Sequence, residues 1–91
     1  MQIHYTRLAI SNLSQAYDLI ETDRPQETRG IIERIEKTIE TVALAPLLGK
    51  RGRVEGTREF FVTGAPFIII YREKEDVLQI LSILPTSKKY P

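Results

Sequence analysis

The amino-acid sequence predicts an α+β domain ordered β-α-α-β-β-β, a helix hairpin packed on an antiparallel sheet. Three observations predict it. Apolar residues from Ala9 to Ala43 recur at helical spacing. The second half carries short β-rich apolar runs. Two close turns, "TGAP" and "KED", join those runs into a meander. Runs of helix followed by runs of strand argue α+β. With 91 residues the chain is read as one domain, 1–91.

The elements follow in order. "IHYT", Ile3 to Thr6, reads as a short strand. A helix starts near Arg7, with Ala9, Leu13, Ala16, Tyr17 and Ile20 on one stripe, and ends near Thr22. Pro25 suits the first turn of a second helix, with Asp23 or Arg24 before it as the cap. Its buried stripe is Ile31, Ile32, Ile35, Ile39, Val42 and Ala43. Glu33, Arg34, Glu36, Lys37 and Glu40 make its wet face, and Gly30 weakens it without breaking it. Pro46 stops the helix, and Leu47 and Leu48 are expected to tuck against the core. A basic loop comes next. Strands are then predicted over Arg58–Val62, Phe67–Glu73 and Val77–Leu84, and Pro85 ends the last because it lacks a ladder donor. There is no internal repeat, low-complexity segment or linker.

Composition narrows the function classes. Thirteen Lys and Arg oppose 12 Asp and Glu, a net charge of +1, so the total does not announce a nucleic-acid binder. The absence of Cys removes disulfides, thiolate zinc sites and Cys nucleophiles. No signal peptide and no membrane span are read, which predicts a soluble cytoplasmic protein without membrane contact. With one His and scattered carboxylates, no metal spacing arises, and no cofactor is expected. Gly49, Gly52 and Gly56 precede a strand and not a helix, so they do not form a familiar phosphate loop.

Charge is local where it is not abundant. Lys50, Arg51, Arg53 and Arg58 crowd one loop, Arg72 ends the next strand, and Lys88, Lys89 and Tyr90 lie in the tail beside Ser87. Arg forks suit phosphate or carboxylate, so this set could hold an RNA phosphate, grip an acidic partner or simply be solvated. His4 has no sequence-local partner, and a lone strand His is more often structural. Glu55 and Glu59 flank basic residues and read as salt-bridge partners.

"GRVEGTREFFV", "GAPFIIIYRE" and "VLQILSIL", ending in Lys-Lys-Tyr-Pro, resemble the RelE/ParE superfamily of bacterial toxins. "RLAISNLSQAYDLI" and "RPQETRGIIERIEKTIETVALAPLLGKRG" are similar to that family's helix hairpin with its Pro-x-x-Gly exit, so the resemblance spans the chain. It implies the toxin half of a type II toxin–antitoxin module, of the kind tied to plasmid stabilization. The partner is a small antitoxin whose flexible segment wraps the toxin and through which alone operator DNA is bound. RelE-like members cut mRNA on the ribosome; ParE-like members poison DNA gyrase. The nuclease pattern commonly places an Arg where this chain has Ile68, and a His or Arg where it has Pro85. The ParE-like reading is therefore favoured: a gyrase inhibitor that hydrolyses nothing itself. Its partner-binding surface would be Lys50, Arg51, Arg53, Arg58, Arg72, Lys88, Lys89 and Tyr90. The alternatives are a ribosome-dependent mRNA interferase using Arg58, Lys88 and Tyr90, and a non-toxic relative that only binds antitoxin.

Overall fold

Thr6 marks where the first strand gives way to the first helix. Its hydroxyl accepts the Ala9 N–H at 3.0 Å, capping the helix, and donates to the Leu81 carbonyl at 3.0 Å. Its own N–H reaches the Ile80 carbonyl at 3.1 Å. One residue thus ends a strand, starts a helix and ties both to the far end of the chain. The structure is a computed structural model describing residues 1–23 and 25–87, with the backbone alone for 19–23, 25, 26 and 28. The elements are β1 (Gln2–Tyr5), α1 (Arg7–Asp23), α2 (Pro25–Leu44), a 3-10 turn (Pro46–Leu48), β2 (Lys50–Arg51), β3 (Arg58–Phe61), β4 (Phe67–Lys74) and β5 (Val77–Pro85).

The sheet runs β1-β5-β4-β3-β2. The meander β3-β4-β5 is antiparallel, as expected, and β2 extends it antiparallel at one edge. β1 joins the other edge in parallel, with Ile3 opposite Leu78 and Tyr5 opposite Ile80. Parallel entry follows from the long crossover through both helices and the rest of the sheet. β2 was read as loop: Lys50 and Arg51 carry no apolar alternation, and they become strand only through backbone pairing with Glu59 and Arg58.

Pro25 opens α2 as predicted, while the proposed Arg24 cap lies outside the described residues. Ala9 and Ala16 of α1 and Ile35, Ile39 and Val42 of α2 bury against Phe67, Ile69, Tyr71, Leu78, Ile80 and Ile83. Tyr17, expected in the buried stripe, is 45% exposed. The opposite sheet face has a smaller apolar cluster of Ile68, Ile70 and Leu84, with Leu81 against it. That face is therefore partly closed by apolar packing of its own. β4 is buried on both sides, which is why "FIIIY" reads as an unbroken apolar run.

A β-bulge interrupts the β4–β5 ladder. The register steps from Ile70 opposite Ser82 to Tyr71 opposite Ile80, leaving Leu81 as the extra residue. α1 and its cap satisfy groups around it: the Leu81 carbonyl takes the Thr6 hydroxyl, and the Asn12 amide oxygen takes the Ile83 N–H at 3.1 Å. Asn12 is therefore buried yet fully useful, and no buried side-chain polar atom among the described residues lacks a partner.

The β4–β5 hairpin turns on Glu75 and Asp76, both left-handed at φ 53° and 62°. Glu75 disfavours that region and Asp76 only tolerates it, whereas Asn and Gly adopt it readily. Replacing Glu75→Asn and Asp76→Gly together should raise stability by about 1–2 kcal/mol. The check is a urea titration: the midpoint rises with an unchanged slope, and a fall would show that the turn holds no strain.

Candidate functional site

The geometry of the basic loop begins with a buried phenol. Tyr71 is fully buried on β4, and its hydroxyl donates to the Pro46 carbonyl at 2.6 Å and accepts the Gly49 N–H at 2.8 Å. Gly49 has no side chain because a Cβ there would strike the Tyr71 ring. Arg58, opposite Tyr71 on β3, donates from Nη1 to the Gly49 carbonyl at 2.7 Å. The N–H and the carbonyl of Gly49, on successive peptide units, are thereby both held, and the chain leaves toward β2. Burial pushes the Tyr71 phenol above its ordinary value of 10.0, while the Gly49 amide and the Arg58 guanidinium pull it back.

Beyond β2 the loop is closed on itself. The Gly52 N–H donates to the Thr57 carbonyl at 2.8 Å, and the Thr57 hydroxyl to the Val54 carbonyl at 2.6 Å. Gly52 sits where a Cβ would meet the Thr57 hydroxyl. Glu59, expected as a surface salt-bridge partner, is 2% exposed, and its carboxylate accepts the Arg53 N–H at 3.0 Å. A carboxylate this deep braces the loop from below. The loop encloses an open hollow of about 380 Å³ between Arg51, Glu55 and Arg58.

The predicted site residues divide. Lys50, Arg51 and Arg53 are exposed along one edge, with the Lys50 ammonium 5.5 Å from the Phe61 ring centre. Arg58 is half-buried and holds Gly49, so its role is to fix the loop. Arg72 lies a strand away, its Nε donating to Gln79 Oε1 at 2.5 Å. His4 stands opposite Gln79 on β1, so His4, Gln79 and Arg72 form one row across the sheet. Lys88, Lys89 and Tyr90 lie outside the described residues. Ile68 is 8% exposed, and Pro85 closes β5 opposite Phe67. Neither position offers an acid, a base or a charge. Among the described residues no cluster of His, Cys, Asp and Glu could hold a metal, and no helix is long and apolar enough to cross a membrane.

Sequence reasoning missed two features. Leu47 and Leu48 do not tuck inward; they are 75% and 51% exposed, because the Tyr71 ring already fills the space beneath their turn. The second is an apolar groove of about 330 Å³ along the helix hairpin, lined by Ile10, Leu13, Ser14, Tyr17 and Ile32. The exposure of Tyr17 belongs to this groove.

Residues 3–90 match the family model described as ParE toxin of type II toxin–antitoxin system, parDE. The chain belongs to the ParE toxin family. Y4kP of Sinorhizobium fredii, named as a candidate toxin, is 31% identical over 90 residues, covering 99% of this chain and 93% of its own length. A solved chromosomal ParDE system from P. aeruginosa shares the fold at a TM-score of 0.86 with 24% identity, over 93% of this chain and 95% of that one. A YoeB-YefM toxin–antitoxin heterotetramer from Staphylococcus aureus aligns at 0.64 with 10% identity, over 99% and 98%. The ParE branch thus matches more closely in fold and sequence than the YoeB structure does. The helix hairpin packed on a sheet is the architecture that the resemblance implied; the fifth strand, β2, and the parallel place of β1 are additions to it.

For this ParE-family chain the Tyr71 phenol is the testable support of the loop. Tyr71→Phe removes both hydrogen bonds, leaving the Pro46 carbonyl and the buried Gly49 N–H without the phenol, for a loss of about 2–3 kcal/mol. The pH dependence follows from the raised phenols. Burial raises Tyr5 as well, helped by Glu36 and Glu40. A phenol that holds its proton more tightly when folded stabilises the fold below its unfolded value of 10.0 and loses that contribution as pH rises through the folded value. Wild-type stability should therefore hold level toward pH 10 and fall above it, more steeply than in Tyr71→Phe; thermal melts across alkaline pH measure this.

Proposed function

We propose that this ParE-family chain arrests growth by binding DNA gyrase, and that a cognate antitoxin neutralises it. The observation that carries the first half is chemical. RNA cleavage needs a base for the 2′-hydroxyl, an acid for the leaving oxygen and charge at the phosphorane. Where nuclease relatives present those groups, this chain has the buried Ile68 and the ring of Pro85. Arg58, the cation named for the nuclease alternative, is held half-buried with Nη1 on the Gly49 carbonyl. A toxin with this surface acts by occupancy. The expected result is that the purified chain blocks gyrase supercoiling in vitro and that its expression causes filamentation. Codon-positioned cuts in mRNA on programmed ribosomes, with gyrase unaffected, would reverse the assignment, and normal growth at high expression would mark a non-toxic binder.

The helix groove supports the second half. Ile10, Leu13, Tyr17 and Ile32 offer an apolar trough to an amphipathic segment that orders on binding. Solved relatives of this fold are toxin–antitoxin complexes. Ile10 and Tyr17 are 58% and 45% exposed, so charging them leaves the core intact. Ile10→Glu with Tyr17→Glu should weaken binding of the antitoxin encoded beside the toxin by about a hundredfold, a loss typical of buried anchors. Toxicity should persist. Retained tight binding in calorimetry would place the antitoxin elsewhere.

A further inference from the structure

Leu44, Leu47 and Leu48 are 89%, 75% and 51% exposed within five residues of chain. Single exposed leucines are ordinary on protein surfaces, but a contiguous patch is not. This patch contributes little to the fold. The space beneath it is filled by the Tyr71 ring, and the turn is held by hydrogen bonds to the Pro46 carbonyl and the Gly49 N–H. The exit of the turn is also fixed in place, since Arg58 holds the Gly49 carbonyl from β3. A helix end and a braced turn that together show three leucines to solvent are pre-ordered for contact, with little entropy left to lose on binding.

The charges on either side say what it would contact. Glu36 and Glu40 precede Leu44 at successive four-residue steps on α2, so the acidic face runs into the leucines from one side. Lys50 and Arg51 follow Leu48 after the single residue Gly49, and the Arg58 guanidinium lies 2.7 Å from the Gly49 carbonyl. Negative charge approaches from the helix and positive charge from the loop, which gives the patch a direction. A second copy of the chain is a poor occupant. The three leucines expose on the order of 300–400 Å², against roughly 800 Å² per partner in a stable dimer. That area suits a short segment docking as one part of a larger contact.

We propose that Leu44, Leu47 and Leu48, with Lys50 and Arg51 at their edge, form a target-docking surface separate from the helix groove. Its occupant is a short amphipathic segment of the toxin's protein target, apolar at its centre and acidic where it lies over the loop. The proposal rests on the reading that this toxin acts by binding a protein. The groove and the patch then divide the work: one faces the antitoxin, the other the target.

The test uses Leu47→Glu with Leu48→Glu, and separately Arg51→Glu, in the full chain. All three residues are exposed, so melting temperature and circular dichroism should match the wild type. A milder Leu44→Ser guards against misfolding in the double variant. Growth inhibition and inhibition of purified gyrase should fall at least about tenfold in the leucine variants, as for a central apolar anchor. Arg51→Glu should weaken inhibition less, and more at low salt than at high salt. Co-purification with the antitoxin encoded beside the toxin should be unchanged. Full toxicity in folded leucine variants would overturn the surface and leave the gyrase reading standing. Loss of antitoxin binding in step with toxicity would assign the leucines to the antitoxin and overturn it too. Undiminished inhibition in the leucine variants, with binding of the wild type to bare duplex DNA that Arg51→Glu abolishes, would show the cations serving a nucleic acid instead and overturn the surface. If the leucine variants lose toxicity while wild-type protein never inhibits gyrase, the surface stands with another protein as its target, and the gyrase reading falls. A wild-type chain that leaves growth unchanged would remove the target and the proposal together.

Discussion

The phenol of Tyr71 is the constraint on which the functional end of this molecule depends. It is buried in the core, at the step in register between β4 and β5, and its hydroxyl reaches out to the backbone on either side of the 3-10 turn. A buried hydroxyl must be satisfied, and here its partners are a carbonyl and an amide that would otherwise be orphaned at the exit of α2. The result couples core packing to the display of a surface. The same ring that fills the interior turns Leu47 and Leu48 outward and leaves room at position 49 for glycine alone. Arg58 completes the clamp from the neighbouring strand. The loop that follows is held by Glu59 from beneath. Charged residues that look like recognition groups in the sequence thus share the labour: some build the platform and others stand on it.

The bulge in β5 does similar work at the other end of the core. An extra residue frees backbone groups that a regular ladder would consume, and α1 supplies the partners through Thr6 and Asn12. This fixes α1 against β5 by polar contacts of defined direction as well as by apolar packing. The outer flank of the helix pair is then free to present Ile10, Leu13 and Tyr17 as a trough. Two surfaces of different character arise from one core: an apolar groove on the helices, and a leucine turn edged with cations near the sheet margin.

Much of the fold was legible because periodicity reports burial. The stripe Ile35, Ile39 and Val42 announced the inward face of α2, and the run Phe67–Tyr71 announced a central strand. β2 was not legible, since two cationic residues become strand only when a neighbour offers its edge. The parallel place of β1 was hidden for a related reason: strand order is set by contacts distant in sequence. At the site, the cluster Lys50, Arg51 and Arg53 was visible as charge, but nothing local says that Arg58 is committed to a carbonyl or that Glu59 is buried. The leucines misled because apolar character predicts burial on average, and here the interior had already been filled by a residue 23 or 24 positions later, Tyr71. The family resemblance was readable across the chain because its motifs run from the helix hairpin to the last strand, and the family match covers residues 3–90.

The placement of β1 has a consequence for how the molecule comes into being. Its hydrogen-bonding edge is β5, and the Thr6 hydroxyl meets a carbonyl 75 residues away. While the chain is being synthesised the first strand waits without a partner until almost everything else has emerged. Pairings so remote in sequence slow folding and leave edges bare meanwhile. A prematurely released fragment therefore cannot close its sheet, and α1 lacks the bulge that anchors it. The sheet thus closes only once β5 has emerged, and the first residues made are among the last to be secured.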